Sequence, residues 1–392
     1  MKNLETLIQE LCPDGVEFVK IGEVAKVGTG SSNRQDAVDD GKYPFYVRSK
    51  NILASDTYEF DDESIIIPGE GGIGEIFHYV KGKYALHQRV YRINFYDERI
   101  NVKFVYYYMY SCFKRFIMKK AVSATVTSIR KPMIEKFEFP LPPIEVQTEI
   151  VRILDKFTSL EAELEAELDC RKRQYEYYRD KLLSFDNVGG QEVEWKKMSE
   201  VGTFIRGNGL QKKDFTEEGV GCIHYGQLYT HYGTSATETI TYCSSELAKK
   251  LRKAAKGDIV IATTSENVED VCKAVAWLGE EEIAVSGDAF IYKHTQNPKY
   301  MAYLFQTASF FNYKKKKATG TKVIRLTGDA MGNYLAPIPS LEEQHRIVSI
   351  LDRFESLTTS LQSGLPAEIA ARRQQYEHYR DKLLTFKRKG AA

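Results

Sequence analysis

The chain has 392 residues, 43% apolar and 28% charged, with 55 Lys and Arg against 54 Asp and Glu. That length allows two or three domains, and a net charge of +1 excludes nucleic-acid binding by bulk charge, so any DNA-binding face must be a local patch. No apolar run reaches the roughly 18–20 residues of a membrane span, Met1-Lys2-Asn3-Leu4-Glu5 lacks a signal core, and no two of the six cysteines form C-x-x-C, so a cytoplasmic protein with reduced, structural thiols is expected.

Residues 1–143 read as a first globule. Short apolar runs bounded by turn residues predict strands over Val19–Val27, Tyr43–Val47, Ser64–Ile67, Glu75–Val80 and Tyr84–Ile93. A Tyr- and Phe-rich helix is predicted over Val102–Ile117. Gly69 to Gly74 fits G-x-G-x-x-G, but a predicted strand follows instead of a helix, and Arg89 stands about where an acid is needed. A tight β-turn is expected there rather than a dinucleotide loop. Lys114, Arg115, Lys119 and Lys120, then Arg130 and Lys131, form a basic strip interleaved with Ser123, Thr125, Thr127 and Ser128. Such a strip can pair with phosphates and bring hydroxyls and guanidinium groups to base edges. Arg48, Ser49, Lys50 and Asn51 form another candidate DNA-reading group, and His87, Gln88 and Arg89 a third.

Residues 144–187 read as a helical spacer. Glu145 to Phe185 contains neither Pro nor Gly, permitting one helix of ~60 Å at 1.5 Å per residue. Ile150, Ile153, Phe157, Leu160, Leu164, Leu168, Tyr175, Tyr178, Leu182 and Phe185 follow 3,4 spacing with one stutter, as in a coiled-coil seam.

Residues 188–339 repeat the globule. Strands are predicted over Ile223–Leu228, Asp258–Ala262, Ala274–Leu278 and Ala289–Tyr292, and a helix over Tyr300–Tyr313. Its basic strip is Lys314, Lys315, Lys316 and Lys317, then Lys322 and Arg325, among Thr319, Gly320, Thr321 and Thr327. Gln227, Tyr229 and Thr263-Thr264-Ser265 are its other candidate readers. Residues 340–392 form a second spacer. Ser340-Leu341-Glu342-Glu343 is a capping-box signature, and the seam runs Ile347, Ile350, Phe354, Leu357, Leu361. Gly364-Leu365-Pro366 predicts a break, after which a second piece runs from about Pro366 to Phe386.

The chain is thus doubled. Gln174 to Phe185 recurs as Gln375 to Phe386, with ten of twelve positions identical. Pro140-x-Pro142 matches Pro337-x-Pro339, and in that register Lys119-Lys120 fall on Lys316-Lys317. The two amphipathic helices could each pack on their own globule; packing against each other, antiparallel, would bury both stripes and relate the globules by an approximate twofold. Walker A, amino-methyltransferase, metal-nuclease and Ser/His/Asp signatures were sought without success. Leu141-Pro142-Pro143-Ile144 lacks the leading Asn or Asp, and the acids near Pro13-Asp14 are badly spaced from Lys20.

The doubled Gln-Tyr-Glu-x-Tyr-Arg-Asp-Lys-Leu-Leu-x-Phe segments, together with Gln147–Phe157, Gln344–Phe354 and Gly364 to Ile369, resemble the specificity subunits of type I restriction-modification enzymes over nearly the whole chain. The resemblance implies an α+β architecture of two mixed α/β target-recognition domains separated by an antiparallel coiled coil. It also implies a non-catalytic DNA-binding subunit whose two domains each read half of a split site. Two methyltransferase subunits and restriction subunits are the implied partners; S-adenosylmethionine, ATP and Mg2+ belong on those partners and no cofactor on this chain. A stand-alone DNA-binding or anti-restriction protein of the same architecture is the alternative. The helix faces and Tyr-rich ends, with Tyr175, Tyr178, Arg179, Tyr376, Tyr379 and Arg380, are the expected methyltransferase contacts.

Overall fold

A computed structural model describes residues 4–120, 128–185, 193–359 and 364–390. The chain divides into two compact units, Met1–Leu164 with Ile369–Ala392, and Glu165–Glu368.

In the first unit, α1 (Leu4–Leu11) precedes β1 (Glu17–Lys20), α2 (Ile21–Val24) and β2 (Ala25–Thr29). Then come β3 (Tyr43–Tyr46), β4 (Leu53–Ser55), β5 (Phe60–Pro68), β6 (His78–Leu86) and β7 (Val90–Phe95). The helices α3 (Val102–Lys120) and α4 (Lys131–Glu135) lead to β8 (Glu138–Leu141) and α5 (Ile144–Ser184). A six-stranded sheet has the order β2-β7-β5-β6-β3-β4, and β1 pairs with β8. Ile65, Ile66 and Ile67 are fully buried in β5, as expected for a strand covered on both faces. Phe104, Val105, Met109 and Phe113 of α3 fill the core beside Ile65 and Ile67.

The second unit repeats this plan. Its elements are β9 (Glu194–Lys197), α6 (Met198–Val201), β10 (Gly202–Arg206), β11 (Phe215–Thr216), β12 (Val220–Ile223) and α7 (Tyr225–Thr230). There follow β13 (Ser235–Ala236), β14 (Thr241–Cys243), α8 (Ser245–Ala248), β15 (Lys253–Ala254), β16 (Ile259–Ala262) and β17 (Thr264–Ser265). Next are β18 (Ala274–Trp277), β19 (Ile283–Val285), β20 (Ala289–His294), α9 (Pro298–Leu304) and α10 (Ala308–Lys317). The series ends with β21 (Ile324–Arg325), α11 (Gly328–Gly332), β22 (Leu335–Ile338) and α12 (Leu341–Thr359), before α13 (Leu365–Leu383). The sheets are β10-β20-β16-β18-β13 and β11-β14-β12-β19-β15, with β9 paired to β22 and β17 to β21.

Several predicted elements change at their edges for identifiable reasons. The strand expected over Val19–Val27 is interrupted by α2, because the Glu23 carboxylate accepts from the Lys20 amide at 3.0 Å and nucleates a helical turn. Glu200 does the same for Lys197 at 3.1 Å. Ile223–Leu228 is mostly α7, because the Gln227 carboxamide accepts from the His224 amide at 2.8 Å. The helix expected over Tyr300–Tyr313 is split at Thr307, whose hydroxyl caps α10 through the Phe310 amide. Tyr84–Ile93 divides where the Val90 amide bonds His87 at 2.9 Å, and Glu75–Val80 becomes strand only from His78. The break at Gly364–Pro366 is present: Gly364 has φ +80°, and α13 starts at Leu365.

The predicted first spacer is one unbroken 41-residue helix, α5, supported on its surface by Arg171–Glu167 and Arg173–Asp169 pairs at i,i+4. Its first half belongs to the first unit and its second half to the other. Within the first unit α5 and α13 run antiparallel. Phe157 meets Tyr376 and stacks on Tyr379 at 5.6 Å, and Glu161, one turn further along α5, pairs with Arg373, one turn back on α13. Within the second unit Tyr178 stacks on Phe354 of α12 at 5.6 Å.

The same polar pins recur in each unit. The fully buried Gln147 side chain accepts from the Asn101 amide and donates to Pro142; Gln344 accepts from the Asn297 amide and donates to Pro339. Buried side-chain amides with all partners in place fix one arrangement of strand end, loop and helix. This explains why glutamine stands at both positions of the repeat.

Candidate nucleic-acid interface

In the first unit the predicted readers Arg48 and Arg89 converge on one acid that the sequence reading did not single out. Glu70 Oε2 accepts from Arg48 Nη1 at 2.9 Å and from Arg89 Nη1 at 3.1 Å. Hydrogen bonds from Arg89, then Arg48, hold the Glu70 carboxyl below its ordinary range. Both guanidinium groups stay open, with side chains 45% and 58% exposed. They border a cavity of about 380 Å³ shared with Arg34, Ser49, Asn51 and His87. Burial, then the two arginines, lower the His87 imidazole below its usual value, which favours the neutral ring. Its Nδ1 accepts from the Arg89 amide at 3.0 Å, while Gln88 donates to Asn33 at 2.5 Å.

The Gly69–Gly74 segment is the expected tight turn, with Gly71, Gly72 and Gly74 at positive φ. It joins these readers to the basic strip: the Gly69 amide donates to Arg89 O, and Gly69 O accepts from the Ile129 amide at 2.7 Å. Arg130 and Lys131 follow, both exposed, Lys131 loosely paired with Glu135 at 3.6 Å. Lys114 pairs with Glu75 of the same turn, while Lys50 and Lys119 are exposed. The side chain of Lys120 and residues Ser123, Thr125 and Thr127 lie outside the described residues.

The second unit holds the corresponding loops with the same backbone bonds. The Thr263 amide donates to Asp288 O at 3.1 Å, and Thr263 O accepts from the Leu326 amide at 3.3 Å. Ser286 N bonds Ile223 O as His87 N bonds Tyr46 O. Leu326 therefore stands where Ile129 stands, in the register deduced from the prolines. Arg325 pairs with Thr264 across β17–β21 and, with Lys315, Lys316, Lys317 and Lys322, is exposed. Tyr229 donates its hydroxyl to Thr264 O at 2.9 Å, so it braces the loop from beneath.

Two of the predicted DNA contacts are corrected. Lys314 is 4% exposed, and its ammonium donates to the carbonyls of Glu269 and Val271 at 2.8 and 2.7 Å. It occupies the position of the buried Ile117 in the first unit, so it faces the core and does not belong to the basic strip. Gln227 is committed at both ends of its carboxamide, accepting from His224 and donating to Thr241 at 3.1 Å, so it shapes the loop.

The predicted partner contacts also turn inward. Tyr175 packs on the second unit's core and donates to Gln306, with the Arg179 guanidinium over its ring at 5.6 Å. Tyr376 packs on the first unit's core under Arg380 at 5.7 Å. The Arg179 and Arg380 side chains are only 11% and 16% exposed. Tyr178 and Tyr379 spend one face on Phe354 and Phe157 and keep the other open. The doubled motif is therefore first an internal clamp between helix and globule.

A family model for the type I restriction modification DNA specificity domain matches residues 13–169 and again 191–371. The chain belongs to this family. It is 32% identical over 298 residues to a type I restriction enzyme specificity subunit of Escherichia coli, covering 74% of this chain and 72% of that one. A crystal structure of the type I restriction-modification S subunit from M. genitalium has the same fold, with a TM-score of 0.56 at 16% identity over 94% of this chain and 96% of that one. A chain from a structural study of assembly and conformational transition in the type I R-M system gives a TM-score of 0.57 at 16% identity, covering 95% and 98%. The protein is a specificity subunit, which recognises DNA sequence and leaves catalysis to other subunits of the restriction-modification complex. Among the described residues no helix is long and apolar enough to cross a membrane, and no group of His, Cys, Asp and Glu is arranged to hold a metal ion.

Proposed function

We propose that each globule, residues 1–143 and 188–339, reads one half of a bipartite DNA site, and that the helical segments 144–187 and 340–392 set the gap between the halves. The observation that carries this reading is the duplicated loop scaffold: the 69–89–129 set of backbone bonds recurs as 263–288–326. Two copies of one reading head suit two half-sites better than one continuous site. Exposed Lys and Arg of the basic strips supply phosphate contacts and salt dependence, and polar side chains on the loops supply base choice. Two methyltransferase subunits carrying S-adenosylmethionine and flipping the target adenine complete the modification enzyme, and restriction subunits using ATP and Mg2+ add cleavage. The open faces of Tyr178 and Tyr379 remain the places where methyltransferase subunits would dock. The cytoplasm, where chromosomal DNA lies and thiols stay reduced, suits the chain's six free cysteines.

Co-expression with the methyltransferase subunits, followed by sequencing of methylated host DNA, tests this. The expected result is a site of two short defined blocks around a fixed undefined gap. A single uninterrupted site would overturn it.

A further inference from the structure

Superposing the two reading heads by their backbone bonds sets side chains of opposite chemistry at the same positions. Arg89 corresponds to Asp288, since each carbonyl accepts the amide of its turn residue, Gly69 or Thr263. Glu70 and Thr264 are the next residues along, and they correspond in turn. The scaffold is shared while the polarity of its tip is reversed. A structural role would require similar side chains where the backbone is the same; a reading role requires different ones when two heads face different bases.

We infer that Arg89 and Asp288 are specificity-determining residues, Arg89 selecting guanine in the first unit's half-site and Asp288 selecting a cytosine amino group in the second's. This rests on the bipartite reading above. Arg89 commits one nitrogen to Glu70 and remains 58% exposed, so a guanidinium edge is left to meet guanine N7 and O6, two acceptors that match its fork. Glu70 is a positioning residue: by holding Arg48 and Arg89 on the same oxygen it orients both forks before DNA arrives. Asp288 is held by Arg206 at 3.6 Å and by the Thr264 hydroxyl at 3.5 Å, and its side chain is 40% exposed. A carboxylate can only accept, so it suits the cytosine N4 amino group and repels the acceptor edge that Arg89 would choose.

The test uses the full chain assembled with its methyltransferase subunits, with methylated host DNA sequenced for wild type, Arg89→Lys and Asp288→Asn. Lysine keeps the charge and any phosphate contact but loses the planar fork. Arg89→Lys is expected to lower the preference for guanine at one position of one half-site by about tenfold or more, with the other half-site unchanged. Asp288→Asn, which gains a donor, is expected to move one position of the other half-site from cytosine toward adenine. Half-sites identical to wild type in both variants would overturn the inference, as would a variant that alters both halves at once. If the wild-type complex marks no two-part site, the bipartite reading falls with it, whereas an unchanged variant site overturns this inference alone.

Discussion

Tyr303 donates its hydroxyl proton to Asp352 across 2.7 Å, joining α9 to α12, and Lys299 reaches the same carboxylate at 2.7 Å. The first unit repeats the arrangement, with Tyr107 at 2.6 Å and Lys103 at 2.8 Å from Asp155. Tyr303 is fully buried, and its oxygen also lies 2.8 Å from Glu355. Tyr303→Phe should therefore cost about 1–3 kcal/mol, and Tyr107→Phe less, because hydrogen bonds to charged groups are the stronger kind. Urea unfolding of the two variants checks the order; equal midpoints would show that Glu355 adds nothing.

Lys314 and its three neighbours should separate cleanly. Lys314→Ala leaves two buried carbonyls without a donor and opens a void, so it should lose roughly 3 kcal/mol of stability. The salt dependence of DNA binding should not change. Replacing Lys315, Lys316 and Lys317 together should leave the melting temperature near wild type and flatten the plot of log affinity against log salt. A flattened slope from Lys314→Ala in folded protein would return that residue to the interface.

Acid should weaken the second unit through His294. Its Nδ1 accepts from the Gln296 amide at 3.1 Å, and its buried Nε2 finds no partner among the described residues. Burial pushes the imidazole down to about 4. A histidine whose folded value lies below its unfolded value, about 6.5, contributes stability that is full above pH 6.5 and is lost as pH falls toward 4. The loss should reach about 3 kcal/mol at one kcal-scale shift per unit. Thermal melting of wild type and His294→Gln between pH 7.5 and 4.5 measures it: the wild-type curve should fall further.

Gly30 and Gly207 mark a close approach on which both reading heads depend. A Cβ on Gly30 would lie 1.9 Å from Leu86 O, and one on Gly207 2.2 Å from Ser286 O. Alanine at either position must push away the strand that leads to Arg89 or Asp288, at a cost of about 2–3 kcal/mol. Gly30→Ala should lower discrimination in one half-site only. Equal discrimination in both halves would separate this contact from recognition.

Spacer length offers a geometric check. Removing one heptad from α5 and from the matching C-terminal helix shortens each by about 10 Å, or roughly three base pairs of B-form DNA. The undefined gap in the methylated site should shrink by that amount while both half-sites stay the same. A constant gap would mean that helix length does not measure DNA.

The amino-acid sequence by itself determined the doubling, the long Pro- and Gly-free helix and the break at Gly364, because periodicity, helix breakers and near-identical segments act locally along the chain. Only the tertiary structure decided which polar residues are free to act. Lys314 looks like its neighbours in sequence, yet the turn of α10 points it into the core where Ile117 sits in the other copy. Tyr175 and Tyr376 read as surface aromatics at the ends of helices, but each folds onto the core of its own unit. Glu70 gains its meaning from Arg48, 22 residues before it, and Arg89, 19 after. Such meetings depend on which strands become neighbours in the sheet, and strand pairing is set by long-range packing.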